Sequence, residues 1–167
     1  RYKEATLVVA PRHLERAPEI ETLVKKMKFQ YVLKSKLAQQ ATSDERRATI
    51  ILDTLGELNA FYKLSDLSFV GGTIAPFGGH NILEPAAFKK PVLFGPFVNN
   101  VKEIAEDMGK DGGGRKIYNA EDMGQAFNEI LSDENKRTLM GERAYNVFLK
   151  HKQSANKQAE IIKKYVS

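Results

Sequence analysis

The residues best suited to chemistry lie in one stretch, SFVGGTIAPFGGHNILEPAAFKKPVLFG, at positions 68–95. This stretch contains two glycine pairs, Gly71-Gly72 and Gly78-Gly79. Three polar residues follow the second pair: His80, Asn81 and Glu84. Glycine adopts backbone angles that other residues avoid, and its missing side chain lets a ligand approach the main chain. A helix that begins after such a loop directs unpaired N–H groups and a partial positive charge towards that ligand. The pattern therefore predicts a site for an anion such as phosphate.

Glu84 has two interpretations from the sequence. In the first, Asn81 is the N-cap of the helix and Glu84 completes a capping box that stabilises the helix by about 1 kcal/mol. Pro85 argues against this, because a proline at the fourth helical position removes the first intrahelical hydrogen bond. In the second, the Glu84 carboxylate points into a cleft and accepts hydrogen bonds from two ribose hydroxyls. The pattern alone does not choose between them.

Arg12 and His80 also have two interpretations each. Arg12 follows a proline at the end of a predicted strand, where it is either a solvated charge or a planar two-point donor to a phosphate or carboxylate. His80 either donates to a phosphate or caps the helix. The lysines at positions 150, 152, 157, 163 and 164 are typical of a solvated helix face, with a membrane-surface role as the alternative.

Strands and helices alternate along the chain and must position these residues. Apolar runs predict strands at 5–10, 30–33, 49–52, 67–70 and 91–94, with a short sixth strand at 115–118. Helical periodicity predicts helices at 15–28, 57–64, from 81, and at 101–108, 119–131, 133–149 and 154–166, whereas the polar segment 34–48 predicts a surface loop. This alternation predicts an α/β fold, a Rossmann-like parallel sheet of about six strands with helices on both faces.

The unusual residues come directly after predicted strands. They are Pro11-Arg12-His13, the segment 53–57 with Asp53, Thr54 and Gly56, the pair Gly71-Gly72, and Gly95-Pro96. In parallel α/β sheets, ligands bind outside the carboxyl ends of the strands. The sequence therefore predicts that these loops line one ligand cleft.

The composition describes one domain, residues 1–167, and restricts its partners only loosely. The chain has 167 residues, no cysteine, a net charge of +5 and a pI near 9.3. The absence of cysteine excludes disulfides and thiolate metal sites, and the three histidines share no ligand spacing, so we expect neither a metal nor a cofactor. The apolar runs are too short to span a membrane. We expect no nucleic-acid partner, because the basic residues are not interleaved with aromatic ones.

Several catalytic motifs are absent from the sequence. It contains no G-x-S-x-G elbow, no G-x-x-x-x-G-K-[ST] loop, and no G-x-G-x-x-G after the first predicted strand. These absences argue against a hydrolase, a nucleoside triphosphatase and a dinucleotide oxidoreductase. Because residue 1 is Arg and a predicted strand follows closely, we also expect the chain to be an excised domain with further sequence upstream.

Four motifs, in matching order, resemble the C-terminal half of the bacterial Kdo transferases. These enzymes transfer 3-deoxy-D-manno-octulosonic acid (Kdo) from its CMP-activated form to the lipid A precursor. The motifs are PRH-x-ER at 11–16, DTLGEL at 53–58, FVGGTIAPFGGHNILEPAA at 69–87 and PVLFGP at 91–96. The resemblance spans residues 5–126. It implies the GT-B fold, whose C-terminal Rossmann-like domain holds the nucleotide sugar while the N-terminal domain holds the acceptor.

The resemblance implies roles for the second half of the predicted site. Glu84 would hold the CMP ribose, while the segment Gly79-His80-Asn81 would present the helix N-terminus to the phosphate. Asn100 would match the asparagine that follows the GP motif. Two positions depart from the family: Phe97 stands where many relatives have His, and Val101 stands where they have an aromatic residue.

For the remaining residues the resemblance implies two roles: neutralising a charge of the donor and forming the floor of the cleft. Arg12 would neutralise the phosphate or the sugar carboxylate, and 53–57 and Gly71-Gly72 would form the cleft floor. Transfer would pass through an oxocarbenium-like state without a metal, because a helix terminus and an arginine stabilise the departing CMP. The catalytic base would lie in the N-terminal domain. We therefore expect this chain alone to bind CMP-Kdo without transferring the sugar, and none of its residues to be catalytic.

Other functions remain open from the sequence. The alternatives are another GT-B glycosyltransferase, a nucleotide-sugar epimerase, or a non-catalytic nucleotide-binding module. The lipid acceptor implies that the full-length protein works at the cytoplasmic face of an inner membrane. The terminal helix at 150–167 either packs as an ordinary last helix or docks on the N-terminal domain.

Overall fold

The computed structural model describes residues 2, 5–39, 49–76 and 79–166. The chain divides into two compact units, Arg1–Phe61 and Tyr62–Ser167. Among the described residues, none of the helices has both the length and the apolar character that a membrane span requires.

The first unit contains a three-stranded parallel sheet. Its strands are β1 (Val8–Val9), β2 (Tyr31–Leu33) and β3 (Thr49–Ile51), in the order β1-β3-β2. A 3-10 turn (Leu14–Arg16) leads into helix α1 (Ala17–Lys26), and a second 3-10 segment (Lys34–Gln39) follows β2. Helix α1 has Pro18 in its first turn, where a missing N–H costs no hydrogen bond. The buried side chains Ala17, Val24 and Ile51 pack α1 against β3.

The second unit contains another parallel sheet, in the order β4-β5-β6. Its strands are β4 (Ser68–Val70), β5 (Val92–Phe94) and β6 (Gly114–Lys116). Helix α2 (Leu58–Leu64) precedes the sheet, and the other helices are α3 (Leu83–Ala86), α4 (Lys102–Lys110), α5 (Ala120–Leu131) and α6 (Glu134–Val166).

Helices cover both faces of the second sheet, and the central strand β5 shows this directly. Val92 and Phe94 join a core cluster with residues of α3, α4 and α6, whereas Leu93 joins a second cluster with residues of α5 and α6. Because successive side chains of a strand point to opposite faces, the two clusters lie on opposite sides of the sheet. All three residues of β5 are buried, as expected for a strand covered on both faces.

The α/β class and the parallel strands are confirmed, but one detail of the sheet prediction is wrong. The six described strands pair as two sheets of three rather than as a single sheet of about six. Periodicity indicates where a strand runs but not which strands pair, so the grouping into two sheets could not be predicted.

The helix predictions also need correction. Instead of two helices at 133–149 and 154–166, one helix, α6, runs from Glu134 to Val166. The segment KHKQ at 150–153 contains neither Gly nor Pro, so nothing there breaks the helix. The helix expected from position 81 is the single turn α3. Part of the loop expected at 34–48 is the 3-10 segment Lys34–Gln39, and the rest of it lies outside the described residues.

Candidate functional site

Thr73 joins the two loops at the carboxyl end of the second sheet. Its side chain is fully buried, and its hydroxyl donates to the Val70 carbonyl (2.6 Å) and accepts from the Gly95 N–H (2.7 Å). The Phe97 N–H donates to the Thr73 carbonyl (2.9 Å). The loop after β4 is therefore fixed to the loop after β5 through one residue. Sequence reasoning missed Thr73, because a buried threonine has no pattern that separates it from an exposed one.

Gly95 lets these loops meet backbone to backbone. A Cβ atom at this position would lie 2.1 Å from the Thr73 carbonyl oxygen and 2.6 Å from the Ile74 nitrogen. Both neighbours are main-chain atoms that cannot rotate away. The glycine after β5 is therefore required by packing.

The described residues of the two glycine pairs form close contacts in the same region. Gly72 has φ +70°, and a Cβ there would lie 2.8 Å from Cε1 and Nε2 of His80, so the imidazole lies directly over this glycine. Gly79 has φ +86°, and a Cβ there would lie 3.0 Å from the Phe97 carbonyl oxygen. By contrast, none of the described atoms would lie within 4 Å of a Cβ at Gly71. Gly78 lies outside the described residues.

The capping-box interpretation of Glu84 is wrong. The N-cap of α3 is Ile82, so Glu84 occupies the second helical position and Pro85 the third. A proline there costs no hydrogen bond, since the first N–H groups of a helix have no intrahelical partner. Asn81 instead accepts from the Leu83 N–H through Oδ1 (3.1 Å), a local turn contact two residues along the chain.

The Glu84 carboxylate is half-buried and available. Within the described residues, no hydrogen bond or ion pair to this carboxylate is found. Its charge acts on Tyr62: burial, together with the negative charge of Glu84, raises the pKa of Tyr62 to about 12. Tyr62 is therefore a neutral phenol at neutral pH, close enough to Glu84 to sense its charge. Nothing in the sequence pairs these two residues.

Asn100 lies in a 3-10 turn (Asn99–Val101) between β5 and α4, with its side chain exposed. Its neighbour Val98 is buried in the core, whereas Phe97 is 38% exposed. The second unit therefore brings His80 onto Gly72, and Gly79 onto the backbone of Phe97. It places Asn100 three residues further along the same loop.

The first unit holds the other predicted site residues, and the contacts of Asp53 come first. Asp53 accepts from the Ser35 amide (2.8 Å) and the Ser35 hydroxyl (2.6 Å). Burial acts to raise the pKa of Asp53, but these hydrogen bonds and the nearby Lys36 outweigh it and hold the pKa below its usual value. Asp53 is therefore a carboxylate that ties the loop after β3 to the 3-10 segment.

Thr54 belongs to a neighbouring set of contacts. Its hydroxyl donates to Glu57, which also pairs with Lys34 (Nζ to Oε1, 2.9 Å), and the two contacts hold the pKa of Glu57 below its usual value. Gly56 lies in the bend between Thr54 and Glu57, with open space where a side chain would be. Arg12 is exposed in the bend after β1. Sequence reasoning missed Ser35 and Lys34, because it treated 34–48 as a surface loop.

A parallel sheet with helices on both faces, and glycine loops at the carboxyl ends of its strands, is the architecture of Rossmann-like ligand-binding domains. The chain belongs to the family described as glycosyl transferases group 1, whose model matches residues 32–147.

Curated relatives and a solved structure agree with this assignment. The chain is 38% identical over 135 residues to a bifunctional glycosyltransferase/methyltransferase of Fusobacterium nucleatum, a match that covers 81% of this chain and 21% of that protein. It is 32% identical over 167 residues to the 3-deoxy-D-manno-octulosonic acid transferase of Haemophilus influenzae, covering 99% of this chain and 38% of that protein. The chain thus spans less than two fifths of the length of these relatives.

The solved structure is that of the C-terminal CMP-Kdo binding domain of WaaA from Acinetobacter baumannii. It matches with a TM-score of 0.73 and 28% sequence identity, covering 84% of this chain and 72% of that chain. The predicted fold class and the predicted resemblance to Kdo transferases are both confirmed by these matches.

Proposed function

We propose that this chain, residues 1–167, is the donor-binding domain of a Kdo transferase and that it binds CMP-Kdo. The observation that carries the proposal is the similarity to the C-terminal CMP-Kdo binding domain of the Acinetobacter baumannii protein, over 84% of this chain. The second unit supports it, because His80 lies over Gly72 and a half-buried carboxylate, Glu84, follows in α3.

Glu84 is the residue that we propose holds the ribose. A carboxylate that accepts two hydroxyl hydrogen bonds needs free lone pairs, and the structure leaves those of Glu84 without a partner among the described residues. Each hydrogen bond to a charged group contributes about 1.5–3 kcal/mol. Glu84 therefore supplies enough free energy to dominate recognition of a ribose.

The phosphate is proposed to bind at Gly79, His80 and Asn81. Helix α3 has only four residues, so its dipole contributes less than a long helix would. The His80 ring and the main-chain N–H groups of this loop are therefore proposed to supply the rest of the attraction. Gly71 and Gly78 would leave room for the ligand, Gly72 leaves room for the His80 ring, and Asn100 would add a polar contact. Arg12 would pair with an anionic group of a ligand. Asp53, Thr54 and Gly56 would shape their own loop, and no side chain of this chain is proposed as catalytic.

The whole protein is proposed to transfer Kdo to the lipid A precursor at the cytoplasmic face of the inner membrane. The bond between the sugar carbon and the phosphate oxygen breaks, CMP departs with the electron pair, and the acceptor hydroxyl attacks the oxocarbenium-like carbon while a base takes its proton. That base and the acceptor site are proposed to lie in an N-terminal domain. The present chain alone would therefore bind the donor without transferring sugar.

Calorimetric titration of the 167-residue chain with CMP, UMP and ADP tests the proposal. We expect CMP to bind most tightly, and both Glu84→Ala and Glu84→Gln to weaken CMP binding at least about tenfold. Glu106→Ala, on the exposed face of α4, is the matched control and should bind CMP like the unaltered chain. Equal binding of the three nucleotides, or an Ala variant that melts earlier yet binds CMP normally, would contradict the proposal.

A further inference from the structure

Phe97 is a large apolar side chain left at the surface beside the candidate site. It is 38% exposed, although the next residue, Val98, is 7% exposed and lies in the core. Phe97 itself is not a member of the core clusters formed by the described residues. Part of this residue therefore remains open to water, where a ligand can contact it.

The backbone of Phe97 is fixed at the carboxyl end of the second sheet. Its N–H donates to the carbonyl of the buried Thr73 (2.9 Å), and a Cβ on Gly79 would lie 3.0 Å from its carbonyl oxygen. Gly79 directly precedes His80, so Phe97 is held next to the loop proposed to bind phosphate. Ile74, also exposed at 41%, follows Thr73 and adds apolar surface at this edge.

A ring in this position suits one part of the proposed donor. Ligand sites combine a mainly apolar lining with a few polar groups, and here the polar groups are assigned to the ribose and the phosphate. The remaining part of a nucleotide is its planar base. A base that stacks on an aromatic side chain gains about 1–3 kcal/mol and offers a flat face to the ring, whereas the hydroxyls and carboxylate of a sugar acid also require polar partners.

We propose that the ring of Phe97 stacks on the pyrimidine base of the bound nucleotide. This inference rests on the proposed function, since it names the partner of one more residue of the same site. It makes a prediction that the Glu84 assignment does not make. Loss of the ring should weaken binding of a nucleotide but not binding of ribose 5-phosphate, which has the same sugar and phosphate without a base.

The first test compares CMP with ribose 5-phosphate by calorimetry. Phe97→Ala and Phe97→Leu should each weaken CMP binding about tenfold and leave ribose 5-phosphate binding unchanged, whereas Phe97→Tyr should retain CMP binding. Tyr118→Ala removes another exposed ring, in the segment between β6 and α5, and is the matched control that should bind CMP normally. Unchanged ribose 5-phosphate binding also shows that each variant has folded.

A fluorescent variant gives an independent readout. The chain contains no tryptophan, so Phe97→Trp introduces a single reporter at this position. We expect CMP to quench its emission by stacking, and ribose 5-phosphate not to quench it.

Three results would overturn the inference. They are normal CMP binding by Phe97→Ala, equal loss of both ligands, and CMP binding to the Trp variant without any change in emission. In each of these cases the proposed function stands as long as the unaltered chain prefers CMP. If the unaltered chain fails to bind CMP, the proposed function fails, and this inference with it.

Discussion

Removing the Thr73 hydroxyl should destabilise the chain more than removing the Thr73 methyl group. Thr73→Val keeps the shape of the side chain but leaves the buried Gly95 N–H without its acceptor and the Val70 carbonyl without this donor. Thr73→Ser keeps both hydrogen bonds and deletes only the methyl group. The pair of variants therefore separates hydrogen bonding from packing at one fully buried position.

The magnitude follows from the two bonds. A buried polar group that loses its partner costs about 1–3 kcal/mol, so Thr73→Val should lower the free energy of unfolding by about 3 kcal/mol. For a chain of this size that corresponds to a fall in melting temperature of about 6–12 °C. Deleting one buried methyl group costs about 1 kcal/mol, so Thr73→Ser should lower the melting temperature by about 2–4 °C.

Urea denaturation followed by circular dichroism measures both free energies, and thermal melts check the order of the variants. If Thr73→Ser is as destabilising as Thr73→Val, or more so, the hydroxyl does not fix the two loops as described. The reasoning from the hydrogen bonds would then be refuted, since packing alone would explain the cost.

Two further predictions concern stability. Gly95→Ala should destabilise the chain more than Thr73→Val, because its Cβ would lie 2.1 Å from a carbonyl oxygen. Gly124→Ala, in open space inside α5, should instead stabilise the chain by about 1 kcal/mol. Thermal melts that rank the two glycine variants alike would contradict this. Asp107 accepts hydrogen bonds from Lys150 (2.7 Å) and His151 (2.8 Å), and these two contacts, Lys150 first, lower the pKa of its carboxyl. The stabilisation is therefore present above the unfolded pKa of about 4 and is lost as the pH falls through the lowered folded value. Asp107→Asn should cost about 1 kcal/mol at neutral pH. It should also make the unfolding free energy depend less on pH in the acid range. An unchanged acid limb in that variant would count against the contact.

The fold class was predictable because buried strands leave a direct mark in the sequence. The run PVLFG around β5 has no polar face, which is typical of strands covered on both sides, and all three residues of β5 are buried. The run ATLVVA also marks a strand, but Val8 and Val9 of β1 are only half-buried and Leu7 is 59% exposed. Helix α5 was predictable for a similar local reason: Asn119 precedes it and accepts from the Asp122 N–H (2.9 Å), the usual contact of an N-cap.

Contacts between residues far apart in the sequence could not be predicted. Ser35 and Asp53 are both ordinary loop residues, and only folding shows that one donates twice to the other. The exact start of α3 could not be predicted either. Asn81 and Glu84 have the spacing of a capping box, but the helix begins one residue later than that box requires, because Pro85 has no N–H to donate to the Asn81 carbonyl. The interpretation of Glu84 therefore had to wait for the structure.

The contrast between Gly95 and Gly71 bears on how this family evolves. Any side chain at Gly95 would collide with main-chain atoms, so selection for folding alone would preserve this glycine even in a descendant that no longer bound a ligand. At Gly71 the space for a side chain is open, and folding alone imposes no such constraint on size. When homologues are aligned, retention of Gly95 would thus be uninformative about activity. Retention of Gly71 would mark lineages in which selection still acts on something that approaches the chain from outside.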